Sequence, residues 1–340
     1  MTQGLGTGLG STTDTLSAVH DIAMLDLDGV VYRGPDAVPG AAEALAGARD
    51  RGLRLAYITN NASRTADQVA EKLVAMGLPD VRADDVVTSA QAVAHLMADA
   101  LPPGSAVLVI GGEGLRTPLE GRGLRCVASL DDGPVAVVQG FHPDIGWADL
   151  AEAAYAVQSG LPWYASNTDM TVPTARGIAP GNGSLVQAVR NATGAEPIVA
   201  GKPERALFDE TVARVGGHSP LMVGDRLDTD IEGAIGAGIA SLAVLTGVST
   251  LQDLVGAGPG HRPTYVAADL RGLDEAHPAV DVEDGSARCG GSEVAHDGTT
   301  LRVTRGDPDA TETLRSVLGL AWDVKDRSGI SLVLDGTLDT

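Results

Sequence analysis

Two carboxylates stand two positions apart in the run "MLDLDGVVYRG" (24–34): Asp26 and Asp28, with Leu27 between them and Gly29 next. In a strand, side chains at i and i+2 leave the same face. The spacing therefore expects both acids on one side, where a glycine lets the chain turn. Like charges that close oppose each other's ionisation unless something neutralises them. A bare Asp-x-Asp-Gly serves equally as a solvated turn, but a second acidic group changes the balance. In "MVGDRLDTDIEGA" (222–234), Asp225 falls at another expected strand end and Asp230 near a helix start. Taken singly, these two are an ordinary turn residue and an ordinary N-cap. Gathered at one edge, three or four carboxylates call for a cation. Mg²⁺ suits them, because it takes hard oxygen ligands and keeps waters and phosphate oxygens. An EF-hand calcium loop does not fit, since its twelfth position, counted from Asp26, is Ala37 rather than an acid. A glycosyltransferase-type metal pair is a remoter reading.

"TNN" (59–61) adds a hydroxyl and amide groups, and "GKPE" (201–204) adds one cation before a helix that opens on proline. A lone lysine there is ordinarily a solvated residue. With the acids, these parts make a site for a phosphoryl group: Mg²⁺ and Lys202 against charge, Thr59 and Asn60 for orientation, a carboxylate for chemistry. "VIGGEGLRT" (109–117) imitates a dinucleotide loop, but its third glycine position is Thr117, and such a partial match is weak. Neither G-x-x-x-x-G-K-[ST] nor G-x-S-x-G occurs.

These residues need elements to position them. Apolar runs at 22–27, 54–59, 106–111, 135–140, 197–201, 221–225 and 241–247 read as strands. Helical patterns fill 39–51, 65–77, 88–100, 147–159, 183–193, 204–215 and 229–237. Alternating strands and helices with continuous apolar strands predict a doubly wound parallel α/β sheet, with ligands outside the carboxyl ends of its strands. Asp26, Thr59, Lys202 and Asp225 then reach one edge of one sheet. Thr65 with Gln68 predicts a capping box. About 31 positions separate Asp28 from Thr59, room for one turn and one helix, whereas about 143 separate Thr59 from Lys202. The excess predicts an inserted second α/β domain.

The chain of 340 residues is 44% hydrophobic but only 3% aromatic, so its cores rest on Ala, Val, Leu and Ile. Its net charge of −21 lacks the basic footprint of a nucleic-acid binder. Two cysteines, Cys126 and Cys289, suggest neither a disulfide framework nor a zinc site. No signal peptide and no membrane span are read, and a cytoplasmic location is expected. After about 270 the chain turns polar and glycine-rich, with a hairpin at "HDGT" (296–299), a helix over 311–322 and a last strand in the final stretch.

D-x-D-G-V at 26–30, T-N-N at 59–61, G-K-P at 201–203 and G-D-x-x-x-T-D at 224–230 resemble the four motifs of haloacid-dehalogenase (HAD) superfamily phosphatases. "VVYRG" (30–34), "PGNGSLVQAV" (180–189) and "LTGVST" (245–250) resemble the NagD-like/p-nitrophenylphosphatase subclass, IIA, over roughly 20–270. With its tail, the whole chain resembles the actinobacterial D-glycerol 3-phosphate phosphatases of that subclass, whose tails are related to an acetyltransferase-like fold. The resemblance implies a HAD-like core (18–100 and 195–269), a large α/β cap (101–194), an appended α+β unit (270–340) and a flexible N-terminal tail (1–17). "SNTD" (166–169) departs from the Asn-Pro-Asp that relatives commonly carry there. The resemblance also implies a Mg²⁺-dependent phosphatase acting on glycerol 3-phosphate. Asp26 is then the nucleophile and Asp28 the general acid and base. Asp26, the Asp28 carbonyl and Asp225 hold the metal; Thr59, Asn60 and Lys202 bind the phosphoryl oxygens; Asp230 acts from behind them. Cap residues such as His142, Asp144, Asp169 or Arg176 would read the leaving group, or serve only as helix caps and surface charge. Alternatives are another small phosphate (a nucleotide, pyridoxal phosphate, phosphoglycolate or sugar phosphate) and a non-enzymatic sensor binding a ligand through its C-terminal unit. The expected partner is a small phosphorylated metabolite, with a homodimer open as the assembly.

Overall fold

The structure, a computed structural model, describes residues 6–78, 80–174 and 176–335. Its contacts divide the chain into two units, residues 1–55 with 216–340 and residues 56–215.

The first unit is built on the parallel strands Ile22–Leu25, Pro220–Gly224, Ala240–Val244 and Tyr265–Ala267, neighbours in that order. The three longer ones are buried almost throughout, as expected of a sheet covered on both faces. The antiparallel strands Asp281–Glu283, Ser286–Cys289, Ser292–Asp297 and Thr300–Arg305 follow, and Val333–Leu334 adds parallel to the last. The hairpin turns at residues 298–299, within the expected "HDGT". The helix Thr311–Ser328 runs six residues past its expected end, because Gly329 supplies the left-handed C-cap. This appended layer shares one apolar cluster with the parallel sheet: Leu314, Val317, Leu318, Ala321 and Trp322 pack with Leu251, Leu254, Val255 and Val266. Residues 1–5 of the expected flexible tail lie outside the described residues. The rest is fastened, with Gly10 N–H donating to the Thr264 carbonyl (2.9 Å) and Thr12 N–H to that of His277 (2.7 Å).

The second unit begins within the strand Arg54–Thr59, which pairs in parallel with Val86–Thr88. Its main sheet is parallel and five-stranded, in the order Ile198–Val199, Trp163–Ala165, Ala136–Gln139, Ala106–Ile110, Arg125–Val127. A core of Leu108, Ile110, Val137, Ala153, Trp163 and Val186 lies against it. Thr171–Thr174 and Gly177–Pro180 form an antiparallel hairpin. The capping box at Thr65 and Gln68 is present in both directions. One expectation is corrected. Lys202 follows a strand of this five-stranded sheet, where Ile198 pairs with Tyr164, and so the four motif residues do not share one sheet. The strand is two residues long, added at the sheet's edge after the helix Asn182–Thr193. Among the described residues, no helix is long and apolar enough to cross a membrane.

Candidate active site

In the first unit, adjacent strand ends bring the acids together. Leu25 is in register with Val223, so Asp26 and Asp225 leave neighbouring strands, and Asp26 N–H donates to the Val223 carbonyl (2.9 Å). A π-helical turn, Leu227–Ile231, returns Asp230 to the same place. One carboxylate oxygen from each of Asp26, Asp225 and Asp230 lies within 4.8 Å of the others. Asp225 and Asp230 are buried and Asp26 half-buried. Asp230 Oδ2 accepts from the N–H groups of Asp225 (3.2 Å) and Arg226 (3.1 Å), which ties this acid to the backbone of the next. Asp225 Oδ2 accepts from Val248 N–H at 2.7 Å, and the Asp225 carbonyl from Ser249 N–H at 3.0 Å. The "LTGVST" stretch thus holds Asp225. Gly247 and Gly29 approach that carboxylate so closely that a Cβ would stand 1.9 and 2.4 Å from Oδ2. Asp228, on the same turn, pairs instead with Arg226, whose guanidinium holds its carboxyl below the usual range.

Asp28 is placed differently. The strand ends at Leu25, so the alternation that would put Asp26 and Asp28 on one face does not extend to them. Asp28 is exposed, and its carboxylate is outside the three-acid group. Its backbone bridges Tyr32, beside the bond from Gly29 N–H to the Tyr32 carbonyl (2.7 Å). The donor set fits a hard divalent cation: three carboxylates this close repel one another, and carboxylate oxygen is what Mg²⁺ prefers. Gly29 and Gly247 leave room for the Asp225 carboxylate itself.

In the second unit, Thr59, Asn60 and Lys202 are all buried. Thr59 Oγ1 accepts from Asn61 N–H (3.1 Å), which closes the turn after the strand and leaves the hydroxyl hydrogen for another acceptor. The Asn60 side chain has other work. Its Oδ1 accepts from Lys202 N–H (2.8 Å), and its Nδ2 donates to the Lys202 carbonyl (3.0 Å) and to Asp169 Oδ1 (3.1 Å). Both amide atoms are committed to the Lys202 loop and to Asp169. The Asn60 side chain thus holds the Lys202 main chain from both sides of its peptide.

Of the other residues singled out in the sequence, His142 packs its ring where a Cβ on Gly112 would lie, 2.3 Å from the ring carbon Cδ2. This close approach and the start of the helix Glu113–Gly121 account for the glycine run that imitates a nucleotide loop. Asp144 N–H donates to His142 Nδ1 at 3.4 Å, and Arg176 N–H to Thr174 Oγ1 at 3.2 Å. Sequence reasoning missed Asn167, whose Nδ2 donates to the Asn60 carbonyl (2.6 Å), and Asn182, whose Nδ2 donates to the Asn167 carbonyl (2.7 Å). Their signal was amide side chains at positions the fold buries, inside "SNTD" and "PGNG".

The family described as haloacid dehalogenase-like hydrolase matches residues 23–125, and a HAD-hydrolase-like family matches 199–273. The chain is 51% identical over 261 residues to D-glycerol 3-phosphate phosphatase of Mycobacterium tuberculosis, covering 77% of this chain and 73% of that protein. It is 36% identical over 249 residues to acid sugar phosphatase of Staphylococcus aureus, covering 73% and 94%. Among solved structures it is similar to glycerol phosphate phosphatase from Mycobacterium tuberculosis in complex with magnesium (TM-score 0.83, 43% identity, 95% of each chain). It is also similar to 4-nitrophenylphosphatase from Thermotoga maritima (TM-score 0.71, 31% identity, 77% of this chain and 98% of that one).

Proposed function

We propose a function for a chain that belongs to the haloacid dehalogenase-like hydrolase family: Mg²⁺-dependent hydrolysis of a small phosphomonoester, glycerol 3-phosphate, to glycerol and phosphate. The observation that carries it is the convergence of Asp26, Asp225 and Asp230 at two adjacent strand ends. The relatives' substrates and their magnesium support the choice of substrate and metal.

Asp26 attacks phosphorus, the bond to the leaving oxygen breaks, and an aspartyl-phosphate forms. Asp28, exposed and outside the three-acid group, gives its proton to the leaving alkoxide. It then takes a proton from the water that attacks phosphorus and releases phosphate, regenerating Asp26. Asp26, Asp225 and the Asp28 carbonyl would hold Mg²⁺, which would supply charge neutralisation for the phosphoryl oxygens. Thr59 donates its hydroxyl hydrogen to a phosphoryl oxygen and Lys202 balances its charge. Asn60 fixes the Lys202 main chain, and Asp230 fixes the backbone of Asp225 and Arg226. We place the enzyme in the cytoplasm, and its net charge of −21 offers no basic footprint for a nucleic-acid partner.

Acid sugar phosphatase among the relatives favours a sugar phosphate as the second reading. A screen of about fifty phosphometabolites with and without Mg²⁺ separates the two. Glycerol 3-phosphate with the highest kcat/KM supports the proposal, a preferred sugar phosphate moves it to the second reading, and no turnover of any of them rejects both.

A further inference from the structure

Asn60 uses its side-chain amide as a strand uses its backbone, accepting from the N–H and donating to the carbonyl of the same residue, Lys202. Only one orientation of the amide does both. An amide nitrogen carries two hydrogens; here one goes to the Lys202 carbonyl and the other to Asp169 Oδ1. A carboxylate only accepts, so Asp169 selects the orientation in which Oδ1 faces Lys202 N–H. The loop carrying Asp169 is fastened to the same point. Asn167 Nδ2 donates to the Asn60 carbonyl, and Asn167 Oδ1 accepts from Asp169 N–H (3.2 Å). Asn182 holds Asn167 from behind, and Gly183 N–H donates to the Asp169 carbonyl (2.8 Å). Gly201 leaves no slack, since a Cβ there would stand 2.7 Å from Asn60 Oδ1 and 2.6 Å from the Ser166 carbonyl oxygen. Asn60, Asn167, Asn182 and Lys202 are buried, so water is poorly placed to replace a lost bond.

We propose that Asp169, with Asn167, is a positioning residue that locks the Asn60 amide and through it sets the main chain of Lys202. This rests on the reading above that Lys202 holds the phosphoryl group. It assigns Asp169, one of four residues that the sequence offered for reading the leaving group, to the phosphoryl end. Affinity for the phosphate group, whatever ester carries it, then depends on the 166–170 loop.

The test compares Asp169→Ala with Asp169→Asn, whose amide oxygen still accepts from Asn60. Binding of inorganic phosphate in the presence of Mg²⁺ is titrated by calorimetry, and KM and kcat are measured on glycerol 3-phosphate and 4-nitrophenyl phosphate. The expected result for Asp169→Ala is phosphate binding weaker by roughly five- to tenfold. KM should rise by a similar factor on both esters, and Asp169→Asn should stay near wild type. Asn167→Ala should move phosphate binding the same way, and it carries the test if Asp169→Ala does not fold. Unchanged phosphate affinity in a folded Asp169→Ala protein overturns the proposal, and so does a loss confined to glycerol 3-phosphate. Wild-type protein that neither binds phosphate nor hydrolyses either ester rejects the underlying function, and the proposal with it. An active wild type beside an indifferent variant rejects the proposal alone.

Discussion

Asp28 keeps its carboxyl outside the group formed by Asp26, Asp225 and Asp230, which leaves it free to handle a proton. Asp28→Asn should therefore lower kcat on glycerol 3-phosphate by roughly 10²–10⁴-fold. The loss on 4-nitrophenyl phosphate should be much smaller, because that leaving group hardly needs protonation. Equal losses on the two esters would remove Asp28 from the acid role. Asp225 and Asp230 should also separate. Asp230 spends one oxygen on two backbone N–H groups, whereas the glycine cradle is built around Asp225. Asp225→Ala is thus expected to raise the Mg²⁺ concentration for half-maximal activity further than Asp230→Ala does, and a titration of each variant giving the opposite order would exchange their roles. At this scale the gathering of Asp26, Asp225 and Asp230 was legible, because carboxylates at neighbouring strand ends stand out in the sequence. The job of Asn60 was not. An amide can serve a ligand or the chain equally well, and only the fold brings Asp169 and Lys202 within its reach.

Elements were legible where apolar runs are long. Arg54–Thr59 and Ala106–Ile110 stand where the pattern puts them. Val86–Thr88, Arg125–Val127, Trp163–Ala165 and Tyr265–Ala267 were missed because three residues hold no periodicity. The helix Glu113–Gly121 was hidden by its own glycines and by Pro118. The appended elements contribute a buried histidine with a consequence for stability. His277 sits between Tyr265, ring to ring at 5.1 Å, and the Gly272 carbonyl, to which its Nε2 bonds at 3.0 Å. Burial pushes its pKa down from 6.5 to about 4, so the folded protein keeps it neutral where the unfolded chain would protonate it. The unfolded state then binds more protons between those two values, and stability falls as pH drops through that window, by on the order of 3 kcal/mol for this group. Chemical denaturation at pH 7 and pH 5 should show about two-thirds of that fall. A folded His277→Gln variant should lose part of it, and an unaltered pH slope would show that His277 is not its source.

For the whole molecule, composition told of a large aliphatic core and an acidic surface, and the motif spacing told of a long insertion between Thr59 and Lys202. The attachment of the last seventy or so residues was not legible, because it depends on side chains far apart in sequence. Trp322 Nε1 donates to the Leu254 carbonyl (2.8 Å), and the guanidinium of buried Arg262 grips Asp326 through two bonds of 2.7 Å while lying 5.1 Å from the Trp322 ring. A unit of about seventy residues has too small a core for much stability of its own, and this one completes the core of the sheet beneath it. Removing 279–340 would bare Leu251, Leu254, Val255 and Val266. The expected outcome is a lower thermal midpoint or loss of soluble protein, with the Mg²⁺ requirement of any folded remainder unchanged. An unshifted midpoint would mean that the tail adds nothing to the fold. The central claim, that Asp26 carries out Mg²⁺-dependent phosphoryl transfer, meets its most direct test in phosphate release from glycerol 3-phosphate by wild type and Asp26→Asn, both shown to be folded by circular dichroism. The account predicts release by wild type that EDTA abolishes and Mg²⁺ restores, and almost none from Asp26→Asn. Turnover by the variant above a few per cent of wild type, or full wild-type activity after exhaustive chelation, would contradict it.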